Sequence, residues 1–165
     1  MNGINFQSEG HRLVHERLEN LVKPGYKLLD VGCGDGSFLD RLGRNYDIRG
    51  LGVDPSATVK GNTDTNCTRL RAEEVDELQE KFDLVYSINS LHHFDDPSSF
   101  LNSAKDSLRD PGKLILADWK EGASTGIPEN YYSQQDVVNL LEQTGFNVTD
   151  SSEIEKQFLL VAELS

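Results

Sequence analysis

No run of about eighteen apolar residues, the length a helix needs to cross a bilayer, occurs in the chain. Met1 to Glu9 lacks both the basic start and the apolar centre of a secretory leader. Cysteine is scarce: Cys33 and Cys67 are too few for a disulfide scaffold and fit no C-x-x-C or Cys/His spacing of a zinc site. These absences lead to the expectation of a cytoplasmic protein with reduced thiols, no membrane span and no metal. Positive charge is short as well. The 16 Lys and Arg residues face 28 Asp and Glu, a net charge of −12, and no basic stripe interleaved with aromatics offsets it. Such a surface repels a phosphate backbone, so nucleic acid is not an expected partner.

At 165 residues and 36% hydrophobic content, the chain is the size of one domain, residues 1–165, with no length left for a separate substrate domain. Its first 24 residues read as a helix and residues 25–165 as an α/β core. From Ser8 to Val22, Val14, Leu18, Leu21 and Val22 fall on one helical face, and Pro24-Gly25 stops the pattern. Short apolar runs predict strands at Lys27–Val31, Ile48–Val53, Cys67–Leu70, Phe82–Ile88, Lys113–Ala117, Phe146–Thr149 and Gln157–Leu164. Between them Phe38, Leu39 and Leu42 mark a helix ending near Gly43. Asp96-Pro97 caps a helix buried through Phe100, Leu101, Ala104 and Leu108. Ser133 with Asp136 has the form of a capping box for a helix that closes at Gly145. The last two strands are separated by about seven residues, whereas a parallel crossover needs a dozen or more, so the final strand should run antiparallel. The expected fold is a Rossmann-like three-layer α/β sandwich: a seven-stranded, mostly parallel sheet with an antiparallel last strand, binding ligands outside the carboxyl ends of its strands.

The densest signal follows the first strand. In Asp30-Val31-Gly32-Cys33-Gly34-Asp35-Gly36, glycines at alternate positions let the backbone turn tightly and approach a ligand without Cβ interference. The second strand then ends in Val53-Asp54-Pro55, which places a carboxylate where it can accept both hydroxyls of a ribose. A dinucleotide fingerprint asks for a third glycine where Ser37 stands, and Asp30 and Asp35 would crowd a pyrophosphate. A cationic sulfonium nucleoside suits these carboxylates better.

With these residues the sequence resembles the class I S-adenosylmethionine-dependent methyltransferases, particularly the small-molecule group that includes the ubiquinone and menaquinone methyltransferases. The resemblance runs from Lys27 to Leu164 and is strongest over Leu28–Phe38, Gly52–Ser56, Phe82–Pro97 and Asp110–Asp118. It implies that S-adenosyl-L-methionine is the cofactor and S-adenosyl-L-homocysteine the product. It further implies that Asp30, Gly32, Cys33, Gly34 and Gly36 surround the methionine part, Asp54 holds the ribose and Pro55 lies against adenine. Arg71 stands where the family commonly has an acid for the adenine amino group, which leaves Glu73, or backbone at Ala72, for that contact. Asn89, in the block after the fourth strand, is the expected contact to the methionine end.

His92 or His93, with His92 the choice, is the candidate general base, since imidazole titrates near neutral pH and an acceptor hydroxyl or amine must lose a proton; a structural histidine is the competing reading. His11 and His15 lie four apart with no third ligand, and a solvated helix face is the expectation for them. Trp119 either stacks on a substrate or plugs the sheet end, and 120–132, with Tyr131 and Tyr132, reads as a lid or a plain connector. The expected activity is methyl transfer to a small-molecule or exposed acceptor at a shallow site, or one completed by a protein partner or second copy. A non-catalytic cofactor-binding partner subunit is the alternative.

Overall fold

The computed structural model describes residues 6–57, 66–120 and 131–165. Helix α1 (Glu9–Leu21) precedes strand β1 (Tyr26–Val31), helix α2 (Ser37–Asn45), β2 (Ile48–Asp54) and β3 (Asn66–Arg69). A 3-10 helix (Ala72–Leu78), β4 (Phe82–Ile88), a 3-10 turn (Leu91–His93), α3 (Pro97–Ser107) and β5 (Leu108–Trp119) follow, then α4 (Gln134–Gln143), β6 (Phe146–Ile154) and β7 (Gln157–Leu164). The caps explain the helix starts: Ser8 accepts from the His11 amide, Asp96 from Ser99, and Ser133 from Asp136, each satisfying an orphan N–H.

The strands form one seven-stranded sheet in the order β3-β2-β1-β4-β5-β7-β6. Neighbours from β3 to β5 are parallel, and β7 runs antiparallel to both β5 and β6. The expected antiparallel last strand is therefore present. Its turn is tighter than the spacing suggested, because β6 continues to Ile154 and leaves only Glu155 and Lys156 before β7. Residues 149–153 are polar and mostly exposed on an edge strand, which hides this half of the strand from a hydrophobicity reading.

Alternation along the strands splits the core in two. Leu29, Val31, Val53, Val85, Leu114 and Leu116 pack against α3, α4 and the first 3-10 helix through Phe100, Leu101, Val137 and Leu141. Leu28, Leu84, Tyr86, Ile88 and Ile115 pack on the other face against Leu13, Val14 and Leu18 of α1 and Phe38, Leu39 and Leu42 of α2. This gives the three-layer sandwich, with helices on both faces of a mostly parallel sheet.

Two boundaries differ from the sequence reading. Helix α2 passes through Gly43 to Asn45, since this glycine is an ordinary helical residue and not the C-cap. Strand β5 begins at Leu108, opposite Phe82, and resumes at Lys113 opposite Leu84; Arg109-Asp110-Pro111-Gly112, which looks like a turn, is a bulge within the strand.

Candidate functional site

The carboxyl ends of β1, β2, β4 and β5 converge on one edge, as a parallel sheet requires. After β1, Gly32, Gly34 and Gly36 all take positive φ, of 85°, 58° and 79°, a region that an L side chain enters only with strain. The amides of Gly32 and Cys33 both donate to the Val53 carbonyl and fold the loop over the end of β2. A Cβ on Gly32 would stand 2.3 Å from Ser90 Oγ, so this glycine lets the loop pass the start of the second 3-10 turn. Among the described residues, no atom beyond Gly34 and its two chain neighbours lies within 4 Å of the Cβ that Gly34 lacks. The middle of the loop thus presents bare backbone that a ligand can approach.

Asp54 is fixed beside it. One carboxylate oxygen accepts from the Gly34 amide at 3.0 Å and the other from the Ser56 amide and hydroxyl at 2.9 and 2.6 Å. Partial burial works against ionisation, but these hydrogen bonds and the neighbouring His93 hold the carboxyl below its usual range. Pro55 is exposed next to it. Asp30 sits on β1 opposite Tyr86 of β4, and burial pushes its carboxyl up to about 7, with Tyr86 opposing and the Asp54 charge adding to the rise. A buried carboxyl of this kind gains its charge most readily when a cation arrives.

The other expected cofactor residues are held by protein partners. Ala72 is buried at the start of its 3-10 helix. Glu73 accepts from the Asp96 amide at 3.0 Å and lies 3.6 Å from Arg71, which also pairs with Asp95 at 3.1 Å. Arg71 is therefore tied to acidic neighbours, and Glu73 to the start of α3. Asn89, at φ 56°, donates to Ser8 Oγ at 2.9 Å and accepts from Gln157, whose other amide atom accepts from the Gly10 amide. Its side chain brackets α1, β4 and β7 together. Any contact it makes with a ligand falls to its backbone or to rearrangement of this bracket.

The partner of His92 was not legible in the sequence. His92 Nδ1 lies 2.7 Å from Asp118 Oδ1, and the His92 amide donates to Oδ2 at 3.0 Å. Both side chains are buried, with 4% of the imidazole and 2% of the carboxylate exposed. A carboxylate oxygen at this distance favours the imidazole tautomer that carries its proton on Nδ1. His93 lies tilted against the ring and Tyr131 meets it edge-on, at centroid distances of 4.0 and 4.8 Å. The only sequence signal for Asp118 was an acid at the end of an otherwise apolar strand; its 26-residue separation from His92 made the pairing a tertiary matter. Trp119 lines a cleft of about 310 Å³ with Glu9, Ile154, Glu155, Lys156 and Gln157. Lys120, Tyr131 and Tyr132 are described, whereas the rest of the expected lid, 121–130, lies outside the described residues.

The expectation for His11 and His15 is corrected: they do not occupy a solvated face. His15 is buried between Phe6 and Tyr46, and His11 packs edge-on to Phe38, where burial and Arg41 lower it to about 4. Helix α1 buries a wider arc than its aliphatic residues alone indicate, with the imidazoles filling the seam against α2. Among the described residues no group of three or more His, Cys, Asp or Glu side chains is placed to hold a metal ion.

A family described as "Methyltransferase domain" matches residues 6–151. Phosphoethanolamine N-methyltransferase 1 of Zea mays is 28% identical over 174 residues, covering 93% of this chain and 35% of that protein. The 2-methyl-6-phytyl-1,4-hydroquinone methyltransferase of Synechocystis sp. is 28% identical over 74% of this chain and 41% of its own length. The chain thus spans about a third of the length of the first of these curated relatives. The solved structure of Burkholderia thailandensis 1,6-didemethyltoxoflavin-N1-methyltransferase, with bound 1,6-didemethyltoxoflavin and S-adenosylhomocysteine, superimposes with a TM-score of 0.74 at 17% identity, over 95% of this chain and 77% of that one.

Proposed function

The chain belongs to the class I S-adenosylmethionine-dependent methyltransferases, and from that premise we propose that it transfers a methyl group to a small-molecule or exposed acceptor held over the ends of β4 and β5. The observation that carries this reading is the open backbone at Gly34, locked to the Asp54 carboxylate and set beside the buried acid Asp30. The residues fit the cofactor. Bare glycine backbone permits close approach, Asp54 offers oxygens to ribose hydroxyls, and Asp30 provides the counter-charge for a cation. Cys33 and Gly36 complete the loop, Pro55 supplies an exposed ring for adenine, and Ala72, Glu73 and Asn89 border the remaining perimeter.

S-adenosylmethionine, when bound, supplies an electrophilic methyl group on a sulfonium. The protein's own work is positioning, together with proton removal from the acceptor. Asp118 fixes the His92 ring through Nδ1 and the His92 amide, so that Nε2 can take the proton of an acceptor hydroxyl or amine. A base held in one tautomer supports catalysis in preference to the non-catalytic partner-subunit reading. Relatives named for phosphoethanolamine and for a hydroquinone support a small acceptor.

Calorimetry with S-adenosylmethionine, S-adenosylhomocysteine and NAD tests the cofactor, and transfer of labelled methyl from cofactor into small-molecule fractions of a cell extract tests the reaction. Binding of the first two without NAD, followed by labelling, is the expected result. Asp54→Ala should weaken S-adenosylhomocysteine binding by about tenfold or more, through lost charge-assisted hydrogen bonds. NAD binding alone, or unchanged affinity in the variant, overturns the site.

A further inference from the structure

The glycine loop holds a second chemical feature, a thiol whose chemistry the proposed methyl transfer does not call on. Cys33 lies between Gly32 and Gly34, and its Sγ is 3.6 Å from Sγ of Cys67 on β3. The two sulfurs meet above Gly52 of β2, the residue that pairs with Asp30 on one side and Cys67 on the other. A Cβ on Gly52 would stand 2.7 Å from Cys33 Sγ and 3.5 Å from Cys67 Sγ. The missing side chain of the middle strand is therefore the slot that brings the thiols into contact. Both are free cysteines; Cys33 is buried and Cys67 is partly open to solvent.

We infer that Cys33 and Cys67 form a reversible dithiol–disulfide site, oxidised by a peroxide, that couples the redox state of the protein to cofactor affinity. The partly exposed Cys67 is the first to react. Its thiolate attacks a peroxide oxygen, the O–O bond breaks, and sulfenic acid forms on Cys67 with release of hydroxide. Cys33 then attacks that sulfur: an S–S bond forms, the S–O bond breaks, and the oxygen leaves as water with the thiol proton. Two thiols and one hydrogen peroxide give one disulfide and two waters. A small dithiol reverses the step by exchange. Burial, and then the neighbouring Asp30, push the Cys33 thiol up, so Cys33 is not the thiol that meets peroxide first; its proton departs with the sulfenic oxygen as the disulfide closes.

Closing the bond draws the sulfurs from contact to about 2.05 Å. Asp30, Gly32 and Gly34 flank Cys33, so the movement is taken up by the loop. This consequence rests on the proposed cofactor site; bond formation does not.

The test treats the whole protein with hydrogen peroxide and follows it by thiol titration, intact mass and non-reducing peptide mapping, then measures S-adenosylhomocysteine binding by calorimetry. The expected product has lost two hydrogens, joins the Cys33 and Cys67 peptides within one chain, binds about tenfold more weakly, and recovers with dithiothreitol. Cys67→Ser should form no disulfide and should bind equally before and after peroxide. Addition of oxygen to Cys67 without a bond, a bond between chains, or an intramolecular disulfide with unchanged affinity would each overturn the inference. Failure of the reduced protein to bind S-adenosylhomocysteine overturns the cofactor reading and, with it, the coupling to affinity, while mapping still decides the disulfide.

Discussion

His92 is useful as a base only if its ring cannot turn, and that is what Asp118 provides. With the carboxylate at Nδ1 and both groups nearly dry, loss of the imidazole should cost about a hundredfold or more in kcat while leaving cofactor affinity near wild type. Asp118→Asn leaves a group that can donate to Nδ1 and favour the wrong tautomer, so kcat should fall and the pH–rate profile should shift. Equal losses in kcat and S-adenosylhomocysteine affinity for His92→Ala would identify a structural histidine instead. Asp30 carries a pH signature of its own. Its carboxyl titrates near 7 because it is buried, and a cationic ligand favours the ionised form. Below 7, binding must first drive off the proton. Affinity for S-adenosylmethionine should therefore strengthen as pH rises through 7 and level off above it, with proton release visible as a buffer-dependent calorimetric enthalpy. Asp30→Asn should abolish the slope, and a wild-type affinity that is flat across this range would count against contact between Asp30 and the cation.

Among the elements, the glycines divide by what each position demands. Gly43 lies at an exposed site within α2, and among the described residues nothing beyond its chain neighbours and its own helix backbone comes within 4 Å of where its Cβ would stand. Gly43→Ala should stabilise the fold by about 0.5–1 kcal/mol, because alanine loses less backbone entropy on entering a helix. Gly32→Ala should do the reverse, combining left-handed backbone with a contact on Ser90, and should weaken cofactor binding as well. Chemical denaturation of both variants checks the contrast, and a stabilised Gly32→Ala would refute the role assigned to the loop. The same division explains what was legible in the sequence. Strand and helix identities were readable wherever burial leaves an apolar pattern, a continuous run in Phe82–Ile88, which is buried on both faces, and a stripe in α3. Strand β6 was truncated because its outer half faces solvent, and the Pro-Gly bulge of β5 resembled a turn because pairing with β4 is not a local property.

The whole molecule carries a large negative charge for its size, −12 over 165 residues. Like charges repel more strongly in the compact state, so sodium chloride should raise Tm as the Debye length shrinks from about 14 Å near 0.05 M to about 4 Å near 0.5 M. The gain should diminish as pH approaches 4.6, where the net charge vanishes. A salt response of equal size at both pH values would mean that ion binding or general salting-out, and not self-repulsion, sets it. By itself the sequence determined the layer order, the antiparallel final strand, the glycine loop and the acid after β2. Those features depend on periodicity, turn chemistry and chain spacing, which act between near neighbours. Only the tertiary structure decided that Asp118 holds His92, that Asn89 is tied to Ser8 and Gln157, that His15 is buried and His11 half-buried against Phe38, and that Cys33 meets Cys67 over a glycine. Each of these joins residues from separate elements, and their distance is set by how strands and helices pack, which no local pattern encodes.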